Sequence, residues 1–276
     1  MMTNGDVFDG GSDAGPGFLT LPDRTVKPRR SGVTHLLDKG LSVAETEQQL
    51  AVAGPYIDIW KFGWGTAYLD PGLEEKLALL RRHGVLACTG GTLLELAWHQ
   101  GADAGFFDWA ERTGFPCVEV SCGTVPMART VKSRLIETAA RRFTVLSEIG
   151  KKVETSRAAP EEWAVDAYED ATAGSTWVVT EGRESGTVGL YDADGAVRGD
   201  VAAAVAGSVG LDMALFEAPR KDQQSWLIRT FGANVNIGNV AAGDGLAVET
   251  LRLGLRSDTA DVSVANESAE RPGVPS

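Results

Sequence analysis

The chain has no apolar run near the eighteen or so residues that a membrane span requires. It also lacks a basic surplus: 26 Lys and Arg face 38 Asp and Glu, a formal charge of −12, which opposes nucleic-acid binding. Cysteine is scarce. Cys88, Cys117 and Cys122 form no CxxC pair, so a disulfide framework is excluded and a reducing, cytoplasmic setting is expected. The three histidines show no ligand spacing, which removes a zinc centre. No GxGxxG follows the first predicted strand, so a dinucleotide-dependent oxidoreductase has little support. The opening "MMTNGDVFDGGSDAGPG" has neither the basic nor the apolar region of a secretory signal.

What the chain does have is hydrophobic residues, 43% of 276, enough for one large barrel or two ordinary domains. Eight β-rich runs recur: 32–38, 56–62, 85–89, 117–121, 143–149, 176–181, 213–218 and 234–238. Helical patterns separate them. Ser42 with Glu45 three residues on reads as a capping box, and Gly54 closes that helix. "GLEEKLALLRRHG" carries acids early and arginines late, as the helix dipole prefers. "TLLELAWHQGADAGFFDWAERTG" reads as one long helix or a broken pair. Eight βα units predict an α/β protein with a single (β/α)₈ TIM-type barrel over residues 27–256. An open doubly wound sheet is the alternative. Residues 1–26 and 257–276 are expected to be disordered tails.

In such a barrel, chemistry gathers at the C-terminal strand ends. Those ends are polar here: Lys39 after Asp38, Lys61, Glu119, Glu148 with Lys151 and Lys152, Glu181 with Arg183, Glu217, then Asn236 and Asn239. Side chains alternate along a strand, so if Glu148 faces the axis the same parity favours Lys152 over Lys151. Glycines follow nearly every strand and let backbone N–H groups approach an anion. Carboxylates from several strands suit a hard divalent cation, Mg²⁺ first. Together these features predict an anionic small-molecule substrate held through a metal. Salt-bridge layers that only stabilise the barrel mouth are the competing explanation for any single Glu–Lys pair. Trp60, Trp64 and Trp177 read as packing residues, and His35 as a hydrogen-bonded core residue.

The stretches "LLDKGL", "DIWKFGWGT", "GGTLLE", "VEVSCGT", "VLSEIGKK", "EGRESG", "FEAP", "NVNIGNV" and "ETLRLGLR" run in order from about Lys27 to Arg256. In these motifs the chain resembles the phosphosulfolactate synthase family, which also includes plant heat-stress relatives. The resemblance implies a (β/α)₈ barrel lyase that adds sulfite to C3 of phosphoenolpyruvate with Mg²⁺, giving (2R)-3-phosphosulfolactate. In methanogens that reaction opens a route to coenzyme M. Lys152 would then protonate C2. Glu148, Glu181 and Glu119 would hold or orient Mg²⁺, and Lys39, Lys61 and Arg183 would neutralise substrate anions. Gly90, Gly91, Ser185, Gly186, Asn236 and Asn239 would supply hydrogen bonds to oxyanions. A homo-oligomer is expected. Cys122 and Thr89, both expected at the pocket rim, depart from the family's pattern. A related barrel enzyme adding another nucleophile, or a non-catalytic stress protein, are the rival readings.

Overall fold

The computed structural model describes residues 16–150 and 158–262. Eight parallel strands close into a barrel in the order of the chain. They are β1 (Thr34–Asp38), β2 (Ile59–Phe62), β3 (Leu86–Thr89), β4 (Cys117–Val120), β5 (Thr144–Ile149), β6 (Trp177–Thr180), β7 (Ala214–Glu217) and β8 (Asn236–Ala241). The helices outside are α1 (Val43–Ala53), the single turn α2 (Thr66–Leu69), α3 (Leu73–Arg82), α4 (Gly91–His99), α5 (Asp103–Thr113), α6 (Arg129–Ala140), α7 (Pro160–Ala173), α8 (Gly199–Val209), α9 (Lys221–Phe231) and α10 (Gly245–Arg252). The (β/α)₈ expectation holds, and among the described residues no helix is long and apolar enough to cross a membrane.

Local chemistry explains the punctuation. The Ser42–Glu45 capping box forms as expected and starts α1. The long segment after β3 resolves as a pair, α4 and α5, broken at Gly101, whose φ of +70° leaves the helical region. Gly114 and Gly174 close α5 and α7 in the left-handed conformation.

Inside the barrel, Val33, Ile59, Cys88, Cys117, Leu146, Trp177, Val179 and Leu215 form an apolar plug. The strand pleat then sets what lies above it. Two residues beyond Ile59, Cys117, Leu146, Val179 and Leu215 come Lys61, Glu119, Glu148, Glu181 and Glu217. Side chains two apart share a face, so an apolar floor one pleat down imposes a charged layer at the mouth. The opposite strand faces pack on the helices through two further apolar clusters.

The packed chain extends past the boundaries predicted for the barrel. Arg24 donates to both Glu249 carboxylate oxygens at 2.8 and 3.0 Å, and Arg29 to Asp58 at 3.1 and 3.2 Å. At the other end Thr259 is fully buried, its hydroxyl donating to the Leu251 carbonyl at 2.7 Å. The last strand also differs: the run predicted at 234–238 is shifted, and Asn236 opens β8 instead of following it.

Candidate active site

A cavity of about 660 Å³ occupies the C-terminal mouth of the barrel. Lys61, Glu119, Glu148, Glu181 and Glu217 line it, with Gly91, Arg183, Ser185 and Asn239. Leu37, Trp64, Thr92, Thr124 and Glu184 complete the wall. All four of those strand-end glutamates are buried, as is Lys61.

Lys61 is the hub. Its Nζ donates to Glu119 Oε2 and to Glu217 Oε1, both at 3.0 Å. Burial alone would pull its pKa down, but the Glu119, Glu217 and Glu148 charges outweigh that and hold it well above the usual lysine value. Lys61 is therefore a fixed cation near neutral pH and a poor proton donor. Glu119 is equally committed, because its other oxygen accepts from the Gly91 N–H at 2.9 Å. Glu217 Oε2 accepts from the Gly182 N–H at 3.0 Å, and Glu181 Oε1 from the Arg183 N–H at 2.7 Å.

Glu148, Glu181 and Glu217 bring one carboxylate oxygen each within 4.8 Å of one another. The geometry thus groups Glu217 with Glu148 and Glu181, where the sequence reading had placed Glu119. An all-oxygen set of this kind fits Mg²⁺ rather than a softer metal. The charge count agrees. Four buried carboxylates face one buried lysine, and a divalent cation would offset most of that excess.

Several predicted residues sit elsewhere. Asn236 lies at the floor: its Oδ1 accepts from Val33 N, and its Nδ2 donates to the Leu211, Asp212 and Ala214 carbonyls. At the start of a strand rather than its end, it ties the barrel bottom together. Lys39 is half-exposed at the rim and pairs with Glu184 at 2.6 Å, bridging the loops after β1 and β6. Gly90 serves backbone packing, since a Cβ there would lie 2.8 Å from the Phe62 carbonyl oxygen. Gly91 gives its N–H to Glu119, so that group is not open to a ligand. Gly186, at φ +63°, packs on Gln223, whose Nε2 donates to its carbonyl. Thr89 is buried at the end of β3 and Cys122 partly buried, and neither lines the cavity. Burial pushes the Cys122 thiol upward, away from nucleophilic use. Lys151 and Lys152 lie outside the described residues. The parity that favoured Lys152 stops at Gly150, whose φ of +104° breaks the extended pleat.

Three residues were undervalued by the sequence reading. Glu217 stood at a strand end without a role, although its place two residues past Leu215 put it in the acidic layer. Trp64, read as packing, is 46% exposed at the cavity wall with φ +54°. Glu95 closed the motif "GGTLLE" but was given no role. Its buried carboxylate accepts from the Thr124 and Val125 N–H groups at 2.6 and 3.0 Å, and also from Gly123 N and the Ser121 hydroxyl. It clamps the loop that brings Thr124 to the cavity.

Residues 22–258 match the (2R)-phospho-3-sulfolactate synthase family. A phosphosulfolactate synthase of Bacillus subtilis is 41% identical over 244 residues, covering 87% of this chain and 97% of the relative. Another from Methanothermobacter thermautotrophicus is 39% identical, covering 88% and 96%. Among solved structures, a 3-keto-L-gulonate-6-phosphate decarboxylase from Vibrio cholerae superposes with a TM-score of 0.54 at 12% identity, covering 84% of this chain and 99% of that one, a likeness of fold. With an acid-ringed barrel mouth and sequence identity along nearly its whole folded length, this chain belongs to the phosphosulfolactate synthase family.

Proposed function

We propose that the protein is a lyase that adds sulfite to C3 of phosphoenolpyruvate with Mg²⁺, giving (2R)-3-phosphosulfolactate. The observation that carries this reading is the buried layer of four glutamates around Lys61 in a chain of this family. Such a layer would repel an anionic substrate unless a divalent cation were bound with it.

The sulfur lone pair of sulfite forms a bond to C3, and the C2–C3 π pair moves toward C2 and the carboxylate. A proton delivered to C2 completes the addition, so atoms and charge balance without a redox step. Glu148, Glu181 and Glu217 would hold Mg²⁺, which when bound stabilises negative charge building on the substrate carboxylate. Lys61 keeps Glu119 and Glu217 in place and contributes a fixed positive charge beneath the reacting atoms. Arg183 lines the cavity at its exposed rim, which supports a part in meeting the phosphate or the incoming sulfite. The high pKa of Lys61 disfavours it as the acid. Lys152, just past the pocket-lining strand β5, is proposed for that step, with Lys151 as the control.

Incubation with phosphoenolpyruvate, sulfite and Mg²⁺ should consume phosphoenolpyruvate only when sulfite is present and yield a product with the mass of the adduct. Turnover without sulfite, or none with it, would replace this reading by another nucleophile or by a non-catalytic role. Lys152→Ala should abolish product while calorimetry still detects phosphoenolpyruvate binding. Near-normal turnover in that variant would remove Lys152 from the mechanism.

A further inference from the structure

The β1–β8 seam contains an irregularity next to the cavity. Thr34 pairs with Ile237, but Leu36 pairs with Val240, so His35 alone faces both Gly238 and Asn239. Two residues against one is a β-bulge, which leaves an N–H without its ladder partner and re-aims a side chain. Here the spare N–H is that of Asn239, and the His35 ring takes it: Asn239 N donates to His35 Nδ1 at 3.2 Å.

Further observations separate this device from ordinary core packing. Asn239 adopts φ +51°, the left-handed region, and its side chain lines the cavity. It is 6% exposed, yet its Oδ1 has no hydrogen-bond partner among the described residues, although buried amides are normally satisfied. Gly238 cannot be replaced without disruption, since a Cβ would lie 2.5 Å from Leu215 Cδ2 and 3.0 Å from His35 Nδ1. His35 itself is fully buried, and burial followed by the Lys61 charge keeps its pKa well below the usual value, so its Nδ1 is available to accept. In that tautomer its Nε2–H meets no acceptor among the described residues. An unmet buried donor is costly, and an apolar side chain would fill the same space without it.

We propose that His35 is a positioning residue: its imidazole replaces the missing strand partner in the β8 bulge by accepting the Asn239 backbone N–H, and thereby holds the Asn239 side chain at the cavity, where its Nδ2–H group, not the buried Oδ1, donates to an oxyanion of the substrate. A neutral amide suits this place. It offers a hydrogen bond in the cavity that Glu217 also lines, without adding charge to a crowded layer. The identity of the oxyanion rests on the proposed phosphoenolpyruvate reading, whereas the positioning does not.

The test uses His35→Leu, Asn239→Ala, the double variant and His35→Gln, whose Oε1 can still accept. His35→Leu and Asn239→Ala should each raise KM for phosphoenolpyruvate about tenfold, the usual scale for one lost hydrogen bond to a charged group, with a smaller change in kcat. The double variant should be no worse than either single one, and His35→Gln should recover most of the loss. Without any substrate, hydrogen exchange at the Asn239 amide should be slow in the unsubstituted protein and in His35→Gln, and fast in His35→Leu. An Asn239 amide still protected in His35→Leu would overturn the proposal. So would an unchanged KM with only a lower Tm, or a double variant whose two effects multiply. If the unsubstituted protein fails to bind phosphoenolpyruvate, the functional reading falls and the exchange experiment still decides the role of His35.

Discussion

At the scale of single residues, Lys61 shows how one buried cation decides the state of several acids. It stands between Glu119 and Glu217, and all three are nearly inaccessible to water. Removing one partner of such a group leaves unpaired buried charge, which is far costlier than losing the attraction itself. Lys61→Met should therefore lower stability by about 4 kcal/mol in chemical denaturation. Adding Glu119→Gln to it should recover part of that loss, because one of the stranded charges is then gone. A Lys61→Met protein as stable as the original would mean that the carboxylates share protons instead of facing a cation. Lys61 was legible in the sequence because it ends an apolar run. Its partners were not, because Glu119 and Glu217 come from β4 and β7, neither of which neighbours β2, and they meet it only across the closed barrel.

At the scale of elements, the strand pleat carried most of the information. The alternation that put Leu146 and Glu148 on one face holds on five strands, and it was readable from residue order alone. The reading failed where a strand is irregular. Asn236 was taken for a strand end because β8 starts two residues later than the apolar run suggests. The Lys152 argument ran through Gly150, whose left-handed backbone does not carry parity onward, so the choice between Lys151 and Lys152 lies outside the described residues. The β8 bulge has no signature in composition, since Gly238 and Asn239 look like any strand-end turn. Glu95, the last residue of "GGTLLE", had its role hidden for another reason. It lies on α4, and its work is done on the loop after β4, whose backbone donors it gathers. Glu95→Ala should free those amides, with rapid hydrogen exchange at Thr124 and Val125 and a loss of about 3 kcal/mol. Exchange confined to the rest of the chain would show that the loop holds itself without the carboxylate.

For the whole molecule, the fold class followed from counting βα units, and its closure from there being eight of them. The net charge of −12 set an expectation against nucleic acid but did not reveal how much of that charge is concentrated in one buried layer. The proposed cation would make stability depend on its binding. Mg²⁺ at a hundred times its dissociation constant stabilises a protein by about 2.7 kcal/mol, which for a chain of this length is roughly 5 °C or more in Tm. Thermal denaturation of the unsubstituted protein should show that rise, and Glu217→Gln should largely lose it. An equal shift in both would move the cation away from Glu217. The plug of Ile59, Leu146, Leu215 and their neighbours has one more effect, on traffic. Among the described residues it closes the cavity from below and leaves the barrel mouth as the doorway for both entry and departure. On the proposed reaction, the phosphorylated sulfonate would have to leave before another enol phosphate could follow, and it should inhibit competitively against phosphoenolpyruvate in initial-rate measurements.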